Sequence, residues 1–514
     1  MSKSNKEAAS EDASDSMKNL AKLLLMLGAE DRTSKPASEH KFWKTQPVTQ
    51  PGDSRSLPRG AIAPSVPPEK VRQEPLPLPS DFEWVTVDVD KDEELSEVYH
   101  LLTMHYVEDD DATMRFKYSL SFLQWALRHP GYDKSWHVGV RVKSTQKLVA
   151  FIAGIPQELR VRDEMFQVVE INFLCVHKRL RSKRLAPVLI KEVTRRCNLR
   201  GIFQAIYTAG QVLPTPMSCA RYYHRTLRAS KLVDIGFSAV PHGMSRAEHE
   251  ARYVLPTQTS LPGLRVLQAD DVPAVARLLR RYMARYDMAP RFTDAEVRHL
   301  FLSGQSEKVT WAYVVETEGR ITDFFSFYSL PSSVLNHREY ETLEAAYLFY
   351  YATESAFASS LPPASDEHGP SPNERAMAEG LAAWQRTTCS RLDSSEAADE
   401  EGVPTWSSEP RAVKERLQAR LRALMQDMLV LANNEGFDVV NCLTVMDNAM
   451  FVTDLKFGPG DGFLNFYLFN WRVTPVAGGL GARANDQEHD PAAHDAEVPR
   501  PPSVYGSGNG VVMV

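Results

Sequence analysis

Strand-like and helix-like stretches alternate along this chain, and near residue 260 the alternation starts again. WVTVDV reads as a strand and the acid-headed DKDEELSEVYHLLTMHYV as a helix. LRVLQADDVPAVARLL repeats that order: strand, acidic turn, helix. WHVGVRV and KLVAFIAGIPQELRV read as a strand pair, and WAYVVETEGRITDFFSFYSLP follows the restart in the same way. FKYSLSFLQWALRH and VKERLQARLRALMQDMLVLANNEG read as further helices, and AIYTAG and FDVVNCLTVMD as strands. KFGPGDGFLNFYLFNWRV reads as a Gly turn and a final strand. Such alternation predicts a mixed α/β layer fold, and the restart suggests an internal duplication of long period.

Composition narrows the class. The 514 residues carry a net charge of -7, which argues against general nucleic-acid binding. Five cysteines without metal-ligand spacing fit a reducing compartment better than a disulfide framework. There is no secretory pattern and no apolar run of membrane-spanning length. A soluble cytoplasmic protein is the expectation. The first 38 residues read as a disordered tail, with a short amphipathic helix over Met17 to Gly28 and a Phe-Trp island at His40 to Val48. Two further low-complexity stretches cover 355–411 and 474–507. The last residues, GVVMV, turn apolar again, as a buried end would.

The chemistry is most concentrated in EINFLCVHKRLRSKRLAPVLIKEVTRRCN, Glu170 to Asn198. An apolar strand leads into Lys178, Arg179, Arg181, Lys183 and Arg184, and a helix follows with Pro187 in its first turn. Helix N-termini bind phosphate through unpaired N–H groups and the dipole. The turn therefore fits a pyrophosphate site, although a basic run can equally be a solvated helix start. The acyl-CoA-dependent acetyltransferase superfold has Q/R-x-x-G-x-G/A at such a turn. Arg181, Arg184 and Ala186 take the fixed positions here, with Arg in place of the middle Gly.

The wider wording is more specific. KFWKTQPV, EINFLCVHKRLRSKRLAPVLIKEVTRR, AIYTAG, RYYHRTL, DFFSFYSLPS and KFGPGDGFLNFYLFNW, in this order along the chain and from about His40 to Arg472, resemble the N-myristoyltransferase family in its fungal form. The resemblance implies two tandem acyl-CoA N-acyltransferase (GNAT-like) halves related by a pseudo-two-fold. It implies a division into residues 39–255, binding myristoyl-CoA, and 256–514, binding peptide. The implied reaction is transfer of myristate to an N-terminal glycine amine. It implies no metal and no permanently bound cofactor, with myristoyl-CoA as co-substrate. Another acyl-CoA-dependent N-acyltransferase and a non-catalytic acyl-CoA binder are the alternatives. Competition between acyl-CoAs separates them.

Residue roles carry over by motif. The backbone amides of Phe173 and Leu174 would form the oxyanion hole. Asn172 and Thr208 would hold the amine, and the carboxylate of Val514 would be the base. Lys41, Phe42, Trp43 and Lys44, then Leu174, Cys175 and Val176, then Ser182, Lys183, Arg184, Leu185 and Ala186, would meet CoA. Cys175 itself is not the expected nucleophile, since free cysteines are commonly buried and inert. Tyr106, Asp109, Asp110, Asp111, Phe116, Tyr118, Tyr222, His224, Ser332, Tyr347 and Asp461 would line the peptide path. Met114 stands where the family commonly has Phe, which would loosen that path. The expected partners are proteins with an N-terminal glycine, with no DNA, a monomeric state, and ribosome docking through the tail.

Overall fold

The computed structural model describes residues 40–50, 53, 58–107, 113–303, 308–335, 337–357, 403, 405–407, 409–479 and 507–514. The expected helix at Met17 to Gly28, the acidic loop Asp109 to Asp111 and most of both low-complexity stretches lie outside these residues.

One thirteen-stranded sheet runs through the molecule. Its order is β1 (Phe82–Thr86), β3 (Val138–Val142), β4 (Leu148–Val161), β5 (Glu164–Val176), β6 (Ala205–Ala209), β16 (Gly458–Phe469), β7 (Ser218–Thr226), β15 (Val439–Leu443), β14 (Ala345–Thr353), β11 (Arg320–Ser329), β10 (Thr310–Thr317) and β8 (Leu264–Val266). β9 (Met288–Pro290) pairs with β4 off this path. A small second sheet joins β13 (Thr342–Leu343), β12 (Ser332–Val334) and β2 (Met114–Phe116).

The order shows the duplication. β1, β3, β4 and β5 run antiparallel and β5 pairs in parallel with β6. β8, β10, β11 and β14 run antiparallel and β14 pairs in parallel with β15. The helices repeat too. α1 (Asp92–His105) follows β1, as α4 (Val272–Met283) follows β8. α2 (Leu120–Leu127) precedes β3, as the continuous helical stretch of Asp294–Val297 and Arg298–Ser303 precedes β10. α3 (Leu185–Asn198) follows β5, as α5 (Arg411–Asn434) follows β14. The cationic turn of the first half and the 355–411 insertion of the second therefore occupy the same place in the repeat.

The halves exchange strands. β7 precedes the restart yet pairs with β15 of the second half, and β16 comes late in the chain yet pairs with β6 of the first. β7 and β16 then pair with each other. One core accordingly spans both halves, from Leu101 and Phe173 to Tyr351 and Met428.

Local signals explain most boundaries. Asp92, Glu93 and Glu94 favour the N-terminus of α1. Two readings of the sequence needed change, and one strand was missed. FKYSLSFLQWALRH is not one helix: Met114–Phe116 pairs with β12, and α2 begins after Ser119, whose side chain accepts from the Phe122 N–H at 3.0 Å. KFGPGDGFLNFY is not a turn and then a strand; the glycines lie inside β16, where the register breaks between Pro459 and Phe463. The central strand AAYLFYYAT had no reading at all, because it is buried on both faces and lacks alternation.

Candidate active site

β5 and β6 pair in parallel only through Ile171 and Tyr207. Beyond that point the two strands part, so Asn172 and Thr208 stand at the mouth of the fork. The next residue of β5 is bulged. Asn172 faces Ala153 and Cys175 faces Phe151, so Phe173 and Leu174 together oppose Ile152. Phe173 has φ 57°, a left-handed conformation rare for such a bulky residue. A bulge of this kind takes backbone groups out of the ladder and re-aims them. The Phe173 N–H reaches the Tyr106 hydroxyl, partly offsetting burial, which pushes that phenol up.

Below the fork, Asn172 donates through Nδ2 to Glu170 Oε1 at 2.7 Å. Glu170 is buried, and burial pushes its carboxyl up to about 7 against the pull of that bond. Cys175 is also buried, its thiol pushed up to about 12 and its Sγ 3.8 Å from the Leu101 carbonyl. That chemistry suits an inert thiol, in line with the expectation against a nucleophilic cysteine.

The chain terminus reaches the same region. Ser507 and Asn509 to Val511 are buried, and Val514 is half-buried. Met288 N–H donates to Gly508 O at 3.0 Å, Gly510 N–H to Met288 O at 2.7 Å and Met446 N–H to Asn509 O at 2.8 Å. Tyr350 clamps the strap: its hydroxyl donates to Val512 O at 3.0 Å and accepts from Val512 N–H at 3.0 Å. Val512 and Val514 line a cavity with Glu170, Tyr350, His129 and Glu296. The terminal residue thus shares a cavity with Glu170, two residues before Asn172 on β5.

On the outer side of β5 lies the cationic turn. Ser182 has φ 63° and Arg184 φ 61°. The left-handed state that a glycine would favour is held here by an arginine. Arg181 to Arg184 are exposed, at the N-terminus of α3. Leu189 and Val193 bury the opposite face of that helix. The Phe-Trp island lies nearby in the fold. Trp43 stacks on Tyr207 at 5.3 Å, Tyr207 stacks on Tyr467, and Lys191 of α3 lies 6.0 Å from the Phe42 ring.

The expected peptide residues gather on the other side. Tyr118 packs on Tyr106 at 5.8 Å and edge-on to Phe173 at 5.4 Å. Phe116 meets Tyr118 and Tyr347 and pairs in register with Ser332. Tyr222 and His224 lie on β7 against β16, and the Asp461 charge reaches His224. Burial pushes His224 down, opposed by Asn441 and Asp461. Asp109, Asp110 and Asp111 fall outside the described residues. Lys41 and Lys44 are exposed and flank the Phe-Trp pair.

Four residues escaped the reading of the sequence. Glu170 and Tyr350 are described above. Asn441 Oδ1 lies 2.7 Å from His224 Nδ1 and its amide also bonds the Tyr347 hydroxyl, so it orients both. Tyr328 stacks on Tyr347 at 5.4 Å. A lone charge inside the apolar run VVEINFLCV was a usable signal for Glu170; the other three had none.

Two tandem α/β units of like strand order, joined by exchanged strands beside the β5–β6 fork, define a duplicated α/β class. Comparison with known proteins narrows it. Residues 61–220 match the N-terminal domain model of myristoyl-CoA:protein N-myristoyltransferase, and residues 234–493 match its C-terminal domain model. The chain belongs to that family. It is 54% identical to a glycylpeptide N-tetradecanoyltransferase of Mycosarcoma maydis, over 96% of this chain and 79% of the relative. It is 44% identical to that of Saccharomyces cerevisiae, over 91% and 95%. A crystal structure of Saccharomyces cerevisiae N-myristoyltransferase with bound myristoyl-CoA superposes with TM-score 0.78 and 41% identity, covering 97% of this chain and 99% of that one.

Proposed function

We infer that this enzyme transfers myristate from myristoyl-CoA to the N-terminal glycine amine of protein substrates. The observation that carries the chemistry is the Phe173–Leu174 bulge at the mouth of the β5–β6 fork. The glycine amine attacks the thioester carbonyl, the carbon–sulfur bond breaks, and CoA leaves as its thiol. The carbonyl oxygen gains negative charge on the way. The Leu174 N–H, and the Phe173 N–H once it leaves the Tyr106 hydroxyl, stabilise that charge.

An α-amino group has a pKa near 8, so the attacking amine must first lose a proton. The Val514 carboxylate takes it, and Asn172 and Thr208 hold the amine by hydrogen bonding. In support, the strap is fixed by backbone bonds on both sides and ends in the cavity that Glu170 lines. Ser182, Lys183, Arg184, Leu185 and Ala186 receive the pyrophosphate, with Leu174, Cys175 and Val176 along the thioester arm. Lys41, Phe42, Trp43 and Lys44 cover the nucleotide. The peptide runs past Tyr106, Phe116, Tyr118, Tyr222, His224, Ser332, Tyr347 and Asp461, and Asp109, Asp110 and Asp111 supply acidic groups to it.

Among the described residues no helix is long and apolar enough to cross a membrane, and no group of three or more His, Cys, Asp or Glu could hold a metal. We place the enzyme in the cytoplasm as a monomer, with its tail docking on ribosomes. Peptide acylation in mixed acyl-CoA tests the reading. Strong preference for myristoyl-CoA is expected, and equal use of acetyl-CoA overturns it. Adding residues after Val514 should abolish turnover and leave CoA binding intact.

A further inference from the structure

The exit of the 355–411 insertion does not stay at the surface. Trp406 N–H donates to Arg285 O at 2.8 Å, and its Nε1–H donates to Asp287 Oδ2 at 3.3 Å. A Cβ added to Gly508 would lie 3.1 Å from Trp406 Nε1 and 2.4 Å from Asp287 Oδ2, so the indole sits directly on the C-terminal strap. Three residues further on, Glu409 is buried and accepts from Arg285 Nε.

Arg285 is fully buried and joins the insertion exit to the strap. Its Nη1 donates to Asp447 Oδ2 at 2.7 Å. Tyr282 and Tyr286 donate to the same carboxylate at 2.5 and 2.7 Å. The residue before Asp447 is Met446, which bonds Asn509 O and receives the Ser507 N–H at 2.9 Å. The residues after Arg285 form the other wall of the slot. Met288 pairs with the strap through Gly508 and Gly510, and a Cβ on Gly510 would meet Tyr286 at 2.6 Å. Both walls that hold residues 507–510 are therefore fixed by groups that Trp406 and Glu409 touch.

We propose that Trp406 and Glu409, at the far end of the insertion, are positioning residues for the C-terminal carboxylate. The proposal rests on the reading of Val514 as the base. The insertion exit acts as a wedge behind the strap: Trp406 covers Gly508, and Glu409 completes the partners of the buried Arg285. Without the wedge the strap gains freedom near residue 508, and the carboxylate six residues on loses its aim. The CoA-facing turn belongs to the other half and is untouched. A misplacement on the order of 1 Å is enough to cost about a hundredfold in rate.

The test uses the full chain. Trp406→Ala and Glu409→Gln are compared with the wild type for kcat, KM for myristoyl-CoA, and myristoyl-CoA binding by calorimetry, which reports folding. Trp406→Phe keeps a six-membered aromatic ring and loses the five-membered ring with Nε1, the Trp406 atom nearest Gly508. The same measurements are made on chains extended by Gly-Gly after Val514. Expected are a kcat lower by ten- to a hundredfold in Trp406→Ala, unchanged KM and binding for myristoyl-CoA, and only partial recovery of the loss in Trp406→Phe. If the extension abolishes turnover but Trp406→Ala and Glu409→Gln keep wild-type kcat, the positioning role is wrong and the base assignment stands. If the extended chain turns over normally, the base assignment itself fails and takes the proposal with it. A loss of kcat accompanied by loss of myristoyl-CoA binding overturns the positioning role in favour of a general structural one.

Discussion

Glu170 sits in an apolar strand with a carboxyl pushed up to about 7 by burial, while Asn172 donates to it. In the unfolded chain the same group titrates near 4.5. Between those values the folded state holds the extra proton, so stability falls as pH rises from about 4.5 through 7. The penalty above that window is about 3 kcal/mol. Glu170→Gln keeps an acceptor for Asn172 and removes the charge. Urea unfolding should show the variant more stable by about 3 kcal/mol at pH 8 and equal to the wild type at pH 4.5; an equal difference at both values would mean that burial does not shift this group. Arg184 is a second single-residue case. Its left-handed backbone costs roughly 1 kcal/mol, and a glycine there would relieve this but add about 0.4–1 kcal/mol of unfolded-state freedom. Arg184→Gly should therefore change stability by less than about 1 kcal/mol while raising KM for myristoyl-CoA several-fold through the lost cation. Unchanged KM would place the pyrophosphate elsewhere. The cationic turn was readable because its signal is local: an apolar strand, five cations, then a helix. The left-handed angle at Arg184 was not, since nothing in Arg favours it.

The C-terminal strap is an element with no regular secondary structure, held by its neighbours. Its apolar ending suggested burial, and the buried Val511 and Met513 agree. What the sequence could not supply was the slot, because its walls come from residues near 286, 350, 406 and 446, far apart along the chain. The exchanged strands were hidden for the same reason. RYYHRTL and the final Gly-rich strand each pair with the half they do not belong to by order. Alternation of strand and helix predicts layers, and says nothing of which strand crosses over. Tyr350 is the test of the strap as a unit. Tyr350→Phe leaves the Val512 N–H and C=O without this partner, at a cost of about 2 kcal/mol. We expect unfolding free energy to fall by that order, kcat to fall several-fold and KM for myristoyl-CoA to hold. If kcat survives while stability drops, the hydroxyl anchors the strap without aiming its end.

Across the whole molecule, buried titratable groups oppose one another. Burial pushes His129 down to about 4, assisted by the neighbouring His299 and resisted by the Pro130 carbonyl. It pushes His137 down to about 4 as well, against the pull of Asp133, Asp90 and Asp88. Both unfold into chains that titrate near 6.5, so the unfolded state binds more protons between about 6.5 and 4. Stability from each is fully present above 6.5 and is lost as pH falls, by up to about 3 kcal/mol. Glu170 acts in the opposite sense over 4.5 to 7, and Glu296, also raised by burial, joins it. The wild type should therefore lose stability only gradually between pH 6.5 and 4.5, with two histidines partly balanced by two carboxyls. His137→Phe separates the contributions. His137 is fully buried and its ring stacks on Tyr132 at 5.6 Å, a contact that Phe preserves. At pH 8 the two proteins should differ only by packing. As pH falls to 4 the variant should gain on the wild type by up to about 3 kcal/mol in urea unfolding, because it has no proton to refuse. A difference that stays constant from pH 8 to 4 would show that His137 takes up its proton in the folded state, and that the interior here tolerates a charge that its burial argues against.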